Sequence, residues 1–158
     1  MWKIERLEEK MATVVGRADR AVDEALKLLT EEDHSRVTSG EALAGEMTSL
    51  PVHQGSGGSL FVSVDNVGIG LVLYAGENML VTEWECPPNA TFGVPHWHPS
   101  AEMLHVISGS CEYPDLGKVV QEGETSVVPA GEPHVWKSGA DGCRMIVVWS
   151  PPLPLEVS

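Results

Sequence analysis

Two periodicities divide this chain. In the first, Ile4, Leu7, Met11, Val14, Ala18, Ala21, Ala25 and Leu28 recur at alternating spacings of three and four. That spacing lines one side of an α-helix over about residues 2–29. Glu5, Glu8, Glu9, Lys10, Asp19, Arg20, Asp23, Glu24 and Lys27 fill its other faces. Gly16 loosens the middle at a cost of about 1 kcal/mol. The stretch Thr38-Ser39-Gly40-Glu41 has capping-box form, which predicts a short second helix to about Met47. The small residues Ala18, Ala21 and Ala25 let a neighbour come close. The stripe therefore suits packing on the chain's own second half, a helical hairpin or dimer seam, or a docking site for another protein.

From Leu60 onward the pattern becomes short runs rich in Val, Ile, Leu and Trp, broken by Gly, Pro and Asn. The runs predict strands at 60–65, 69–75, 79–86, 91–98, 102–108, 110–113, 117–121, 125–129, 134–137 and 143–149. Many short strands between turns predict an all-β sandwich or barrel. Between the two halves, Pro51 to Ser59 contains Gln54-Gly55-Ser56-Gly57-Gly58-Ser59, a composition that does not hold regular structure. The expected organisation is a helical extension at 1–50, a linker at 51–59 and a barrel at 60–158. His34 and His53, in or before the linker, are expected at the surface.

Composition narrows the function. With 158 residues and 42% hydrophobic content, the chain suits one domain with an appendage. A formal net charge of -13 opposes binding to nucleic acid or to an anionic membrane surface, because both are polyanions. No apolar run reaches the ~20 residues that cross a bilayer, and the amphipathic start Met1-Trp2-Lys3-Ile4 lacks the apolar core of a signal peptide. Cys86, Cys111 and Cys143 are too few and too spread for a disulfide framework or a zinc ribbon. They read as small buried apolar residues in a reducing, cytoplasmic setting.

The chemistry lies in the β half. His96 and His98 are one residue apart, so on a strand both point to one face, with Cα atoms about 7 Å apart. Glu102 opens the next strand after Pro99 and Ser100, and His134 follows the turn-rich Pro129-Ala130-Gly131-Glu132-Pro133. Three imidazoles and a carboxylate suit Fe, Mn, Ni, Cu or Zn and not an oxygen-only calcium site. Alternation from Glu102 places Leu104 and Val106 on the ligand face and His105 on the other.

The run His96-x-His98-xxx-Glu102-x6-Gly109, followed by Gly123-x5-Pro129-x-Gly131-xx-His134, resembles the paired motifs of the cupin superfamily. The resemblance covers about residues 60–150. It implies a double-stranded β-helix, or jelly-roll, barrel in which His96, His98, Glu102 and His134 match the metal-ligand positions one for one. Two positions depart from the family pattern. Ala90 stands where the first motif usually begins with glycine, and Ser138 where the second usually ends in asparagine. The short segment between Gly109 and Gly123 is similar to compact single-domain microbial cupins.

An apolar interior with a metal at one end suits a small-molecule substrate. Trp136 shares a face with His134, and Trp84, Phe92 and Trp149 are further candidates for the pocket wall. Trp97 should face away from the ligands. The barrel's few Lys and Arg residues disfavour polyanionic substrates. The expected cofactor is one divalent transition metal per chain, iron first and Mn, Ni, Zn or Cu as alternatives. The first functional reading is an O2-dependent (di)oxygenase, with Glu102 as ligand and catalytic base. A non-redox lyase, isomerase or cyclase and a non-catalytic ligand-sensing cupin stay open beside it. By family resemblance a homodimer is expected.

Overall fold

The computed structural model describes residues 45–55, 58–64 and 67–157. The helix expected at 2–29 and the capping box at 38–41 lie outside the described residues. Eleven strands and one 3-10 turn make up the rest. They are β1 (Gly45–Glu46), β2 (Leu50–Gln54), β3 (Leu60–Val64), β4 (Gly68–Ala75), β5 (Leu80–Cys86), β6 (His96–Trp97), β7 (Ala101–Tyr113), β8 (Lys118–Gln121), β9 (Thr125–Val128), β10 (Lys137–Ser150) and β11 (Leu155–Val157). A sheet in the order β11-β2-β3-β4-β5-β10-β7-β8, with β9 beside β7, wraps around a single large core as a jelly-roll barrel. A small parallel pair, β1 with β6, lies apart from that sheet.

Alternation explains which side chains fill the interior. Along β5, Leu80, Thr82, Trp84 and Cys86 are buried, and along β10, Cys143, Met145, Val147 and Trp149 are buried. These sets meet across the β5–β10 ladder, where Cys86 pairs with Cys143 and Trp84 with Met145. Val52 and Val62 pair across β2 and β3 and are both fully buried. All three cysteines are free and buried, as the small-apolar reading expects.

Two boundaries differ from the sequence reading. Leu50–Gln54, expected as the end of the extension and the start of the linker, forms a strand. Leu50 and Val52 face inward, while β2 joins β3 on one side and the distant β11 on the other. The pattern was too short to detect, because five residues beginning Leu-Pro carry only two inward positions. The second helix expected to about Met47 does not reach over Gly45–Glu46, which is strand. Gly45 has φ +81, outside the right-handed helical region, and the backbone of Met47 donates to Trp97 O at 2.7 Å.

One pair of expected strands is continuous. The runs 102–108 and 110–113 merge into the 13-residue β7. Gly109, at φ +75, sits within it opposite Cys143. The β7–β10 register shifts between Ser138 and Cys143, so residues 139–142 form a bulge in β10. This irregularity changes the inward phase of β7. Glu102, Leu104 and Val106 face in before Gly109, and Cys111 and Tyr113 face in after it.

Candidate metal centre

His96 ends the approach to the core on β6, and His134 lies beside it just before β10. Their backbones are locked together, with His96 N donating to His134 O at 3.0 Å and His134 N to His96 O at 2.9 Å. His98 follows two residues after His96, and its carbonyl accepts from Gly131 N at 2.8 Å. The Pro129–Pro133 turn is thereby pinned to the first histidine pair, which brings two segments 36 residues apart in sequence onto one point. Glu102 enters from the first turn of pleat in β7. His96, His98, His134 and Glu102 are all buried.

One ligand atom from each histidine lies within 4.8 Å of the other two. His98 Nδ1 donates to Ser100 O at 2.8 Å and His134 Nδ1 to Glu132 O at 2.9 Å. A carbonyl only accepts, so each ring carries its proton on Nδ1 and leaves the Nε2 lone pair free to face the centre. His134 Nε2 is enclosed and meets no hydrogen-bond partner among the described residues. Glu102 Oε2 stands 3.2 Å from His98 Nε2. The donor set thus fits one divalent transition ion, by chemistry and by its orphaned buried nitrogens.

The electrostatics agree with that fit. Burial, helped by neighbouring His134, pushes His96 down to about 4, so its ring is neutral and able to ligate at neutral pH. Burial pushes Glu102 up, but contact with His98, aided by the nearness of the His134 and His96 rings, outweighs it and holds the carboxyl below its ordinary value. His98 is raised: burial lowers it, while Glu102 and the Ser100 carbonyl raise it by more.

Trp84, Phe92, Trp136 and Trp149 all line the cavity that opens onto the centre, joined by residues such as Met47, Leu50 and Met145. Phe92 stacks on the His96 ring with centroids 4.1 Å apart. Trp97 turns away toward Gly45, and His105 faces out, bonding Thr125 Oγ1 at 2.9 Å. Sequence reasoning missed Tyr113. Its hydroxyl donates to Glu102 Oε1 at 3.4 Å and its ring packs against His134. Simple alternation from Glu102 would have pointed it outward, and only the change of phase at Gly109 turns it in. The two departures from the motif pattern also meet. Ser138 N donates to Ala90 O, and Ala90 N donates to Ser138 Oγ, both at 2.8 Å.

Residues 82–150 match the family model of the cupin domain. That match identifies residues 82–150, the stretch that holds all four candidate ligands, as a cupin domain. Among solved structures, the chain is similar to an RmlC-like cupin from Shewanella frigidimarina NCIMB 400, at 17% identity and TM-score 0.52, over 61% of this chain and 86% of that one. KdgF from Halomonas sp. matches at 17% identity and TM-score 0.51, over 58% of this chain and 86% of that one. The polyketide cyclase RemF from Streptomyces resistomycificus is 31% identical with TM-score 0.45, over 52% of this chain and 63% of its own length, less than two thirds. No curated protein matches the chain. Among the described residues, no helix is long and apolar enough to cross a membrane.

Proposed function

We propose that this protein is a metal-dependent enzyme acting on a small, mostly apolar organic molecule. His96, His98, His134 and Glu102 would hold one divalent transition ion, with iron the first candidate and Mn, Ni, Zn or Cu as alternatives. The observation that carries this reading is the convergence of three buried imidazoles and one carboxylate at one end of an otherwise apolar cavity.

The favoured activity is O2-dependent oxidation. When bound, the ion supplies the redox chemistry. The chain's own residues orient the substrate and exclude water. Among the described residues, His96, His134 and Glu102 are the only ionisable groups in the cavity wall, so the wall offers little acid–base machinery of its own. None of the described residues that line it is Lys or Arg, which disfavours phosphorylated or polycarboxylate substrates. The free space is about 30 Å³, on the order of two waters. A larger occupant must shift side chains, and Met47 and Met145 have the softest rotamers in the wall.

One contact favours a second reading. Tyr113 touches the Glu102 carboxyl, and a carboxylate with a hydroxyl behind it can hold and move a proton. That pairing suits a non-redox lyase, isomerase or cyclase with Zn, Mn or Ni. Turnover of small aromatics, diketones and thiols by the metal-loaded protein, with and without O2, separates the two. Activity lost without O2 supports the oxygenase, and activity retained supports the non-redox enzyme. Tight ligand binding without turnover in either atmosphere would instead indicate a sensing role.

A further inference from the structure

Three tryptophans line the cavity, and their indole N–H groups are treated differently. Trp84 Nε1 donates to Thr82 Oγ1 at 2.7 Å. Trp136 Nε1 makes no hydrogen bond of good geometry but rests beside the Cys111 thiol. Trp149 Nε1 is enclosed and meets no acceptor among the described residues, although the residue is only 3% exposed. A buried donor left without an acceptor is costly, and the cost is removed by whatever brings one.

Position gives that donor a meaning. Trp149 on β10 pairs directly with Glu102 on β7. Both side chains face inward, so their Cβ atoms are about 5 Å apart. The Trp149 side chain therefore enters the cavity from the position directly across the ladder from Glu102, while most of the other lining residues are apolar. Phe92, stacked on His96, adds a flat aromatic surface at the metal end.

We infer that the cavity recognises an apolar carbonyl compound whose oxygen accepts the Trp149 indole N–H beside Glu102. This rests on the reading of the cavity as a substrate site and narrows the substrate to neutral molecules with an oxygen acceptor on an apolar, aromatic-compatible frame. Pure hydrocarbons leave the indole unsatisfied. None of the described lining residues is Lys or Arg, so an anionic carboxylate would have only the metal ion to offset its charge beside Glu102.

The test uses full-length protein labelled with 15N and loaded with Zn(II), titrated with benzaldehyde and with styrene. These probes share size and shape and differ in a carbonyl oxygen against a CH2 group. Benzaldehyde should bind about tenfold more tightly and move the Trp149 Nε1–H resonance downfield, while the Trp84 signal, held by Thr82, stays in place. In Trp149→Phe the preference should fall to about one, with styrene affinity within twofold of wild type. Equal affinities in the wild-type protein, a stationary Trp149 signal, or a preference undiminished in Trp149→Phe would overturn the inference. The wild-type titration decides the matter alone if the variant does not fold. Repeating it on chelator-treated protein separates the two proposals. A carbonyl preference that persists there supports the indole site even if the protein holds no metal.

Discussion

Acid sensitivity offers a direct reading of the centre in its metal-free form. His96 has a folded value of about 4 against an ordinary 6.5. Between those values the unfolded chain binds a proton that the native chain refuses, so stability falls as pH falls. From pH 7.5 to 5 this single ring costs about 2 kcal/mol, and the limit at still lower pH is about 3.4 kcal/mol. Below pH 6.5 its two coupled partners add no opposing slope. His98 is raised above 6.5, so its contribution is fully present below 6.5 and is lost only as pH rises through the raised value. Glu102 is held below 4.5, so its contribution is present above 4.5 and is lost only at lower pH. Urea unfolding of chelator-treated protein at steps from pH 7.5 to 5 measures the slope, stopping short of the pI near 4.7. With an m-value of about 1–3 kcal/mol per molar urea, the midpoint should fall on the order of 1 M. His96→Gln removes the titrating ring, so its midpoint should depend less on pH by that amount. Identical pH slopes in the variant and the wild type would refute the argument that burial holds this ring neutral.

Three other outcomes follow from particular contacts. Glu102→Gln keeps the shape of the side chain and removes its charge. If Glu102 serves as base, turnover should fall more than metal content by elemental analysis, whereas equal losses would remove the base role. Leu50→Ala should cost about 2–5 kcal/mol in a denaturant melt, because Leu50 is a buried core residue of β2, and a change near zero would mean that 50–54 is a linker after all. Gly109→Ala should cost at least about 1–3 kcal/mol by thermal or urea melting, since an added Cβ would collide with the carbonyl of Gly142 at a φ of +75. An unchanged midpoint there would contradict the bulged β7–β10 register.

Much of this protein is legible from local pattern. The HxH pair, the carboxylate four residues later and the distant Pro129-to-His134 run carry strand alternation and turn chemistry in their own residues, and the structure brings the three histidines together as that pattern requires. The inward placement of Trp84, Trp136 and Trp149 and the outward placement of Trp97 and His105 also follow from alternation over a few residues. What local pattern could not supply depends on partners far along the chain. Leu50–Gln54 is a strand because β3 and β11 flank it, and about 100 residues separate β2 from β11. Tyr113 reaches Glu102 because one left-handed glycine, accommodated opposite a bulge in another strand, reverses the phase of β7. Ala90 and Ser138 look like unrelated departures until the fold joins their backbones.

The residue types and spacings by themselves determined which side chains could serve an ion, because period-two alternation and turn residues act over a handful of positions. Only the tertiary structure decided where the barrel begins, which tyrosine backs the carboxylate and which indole is left without an acceptor, because each of these depends on the register between strands that are distant in sequence.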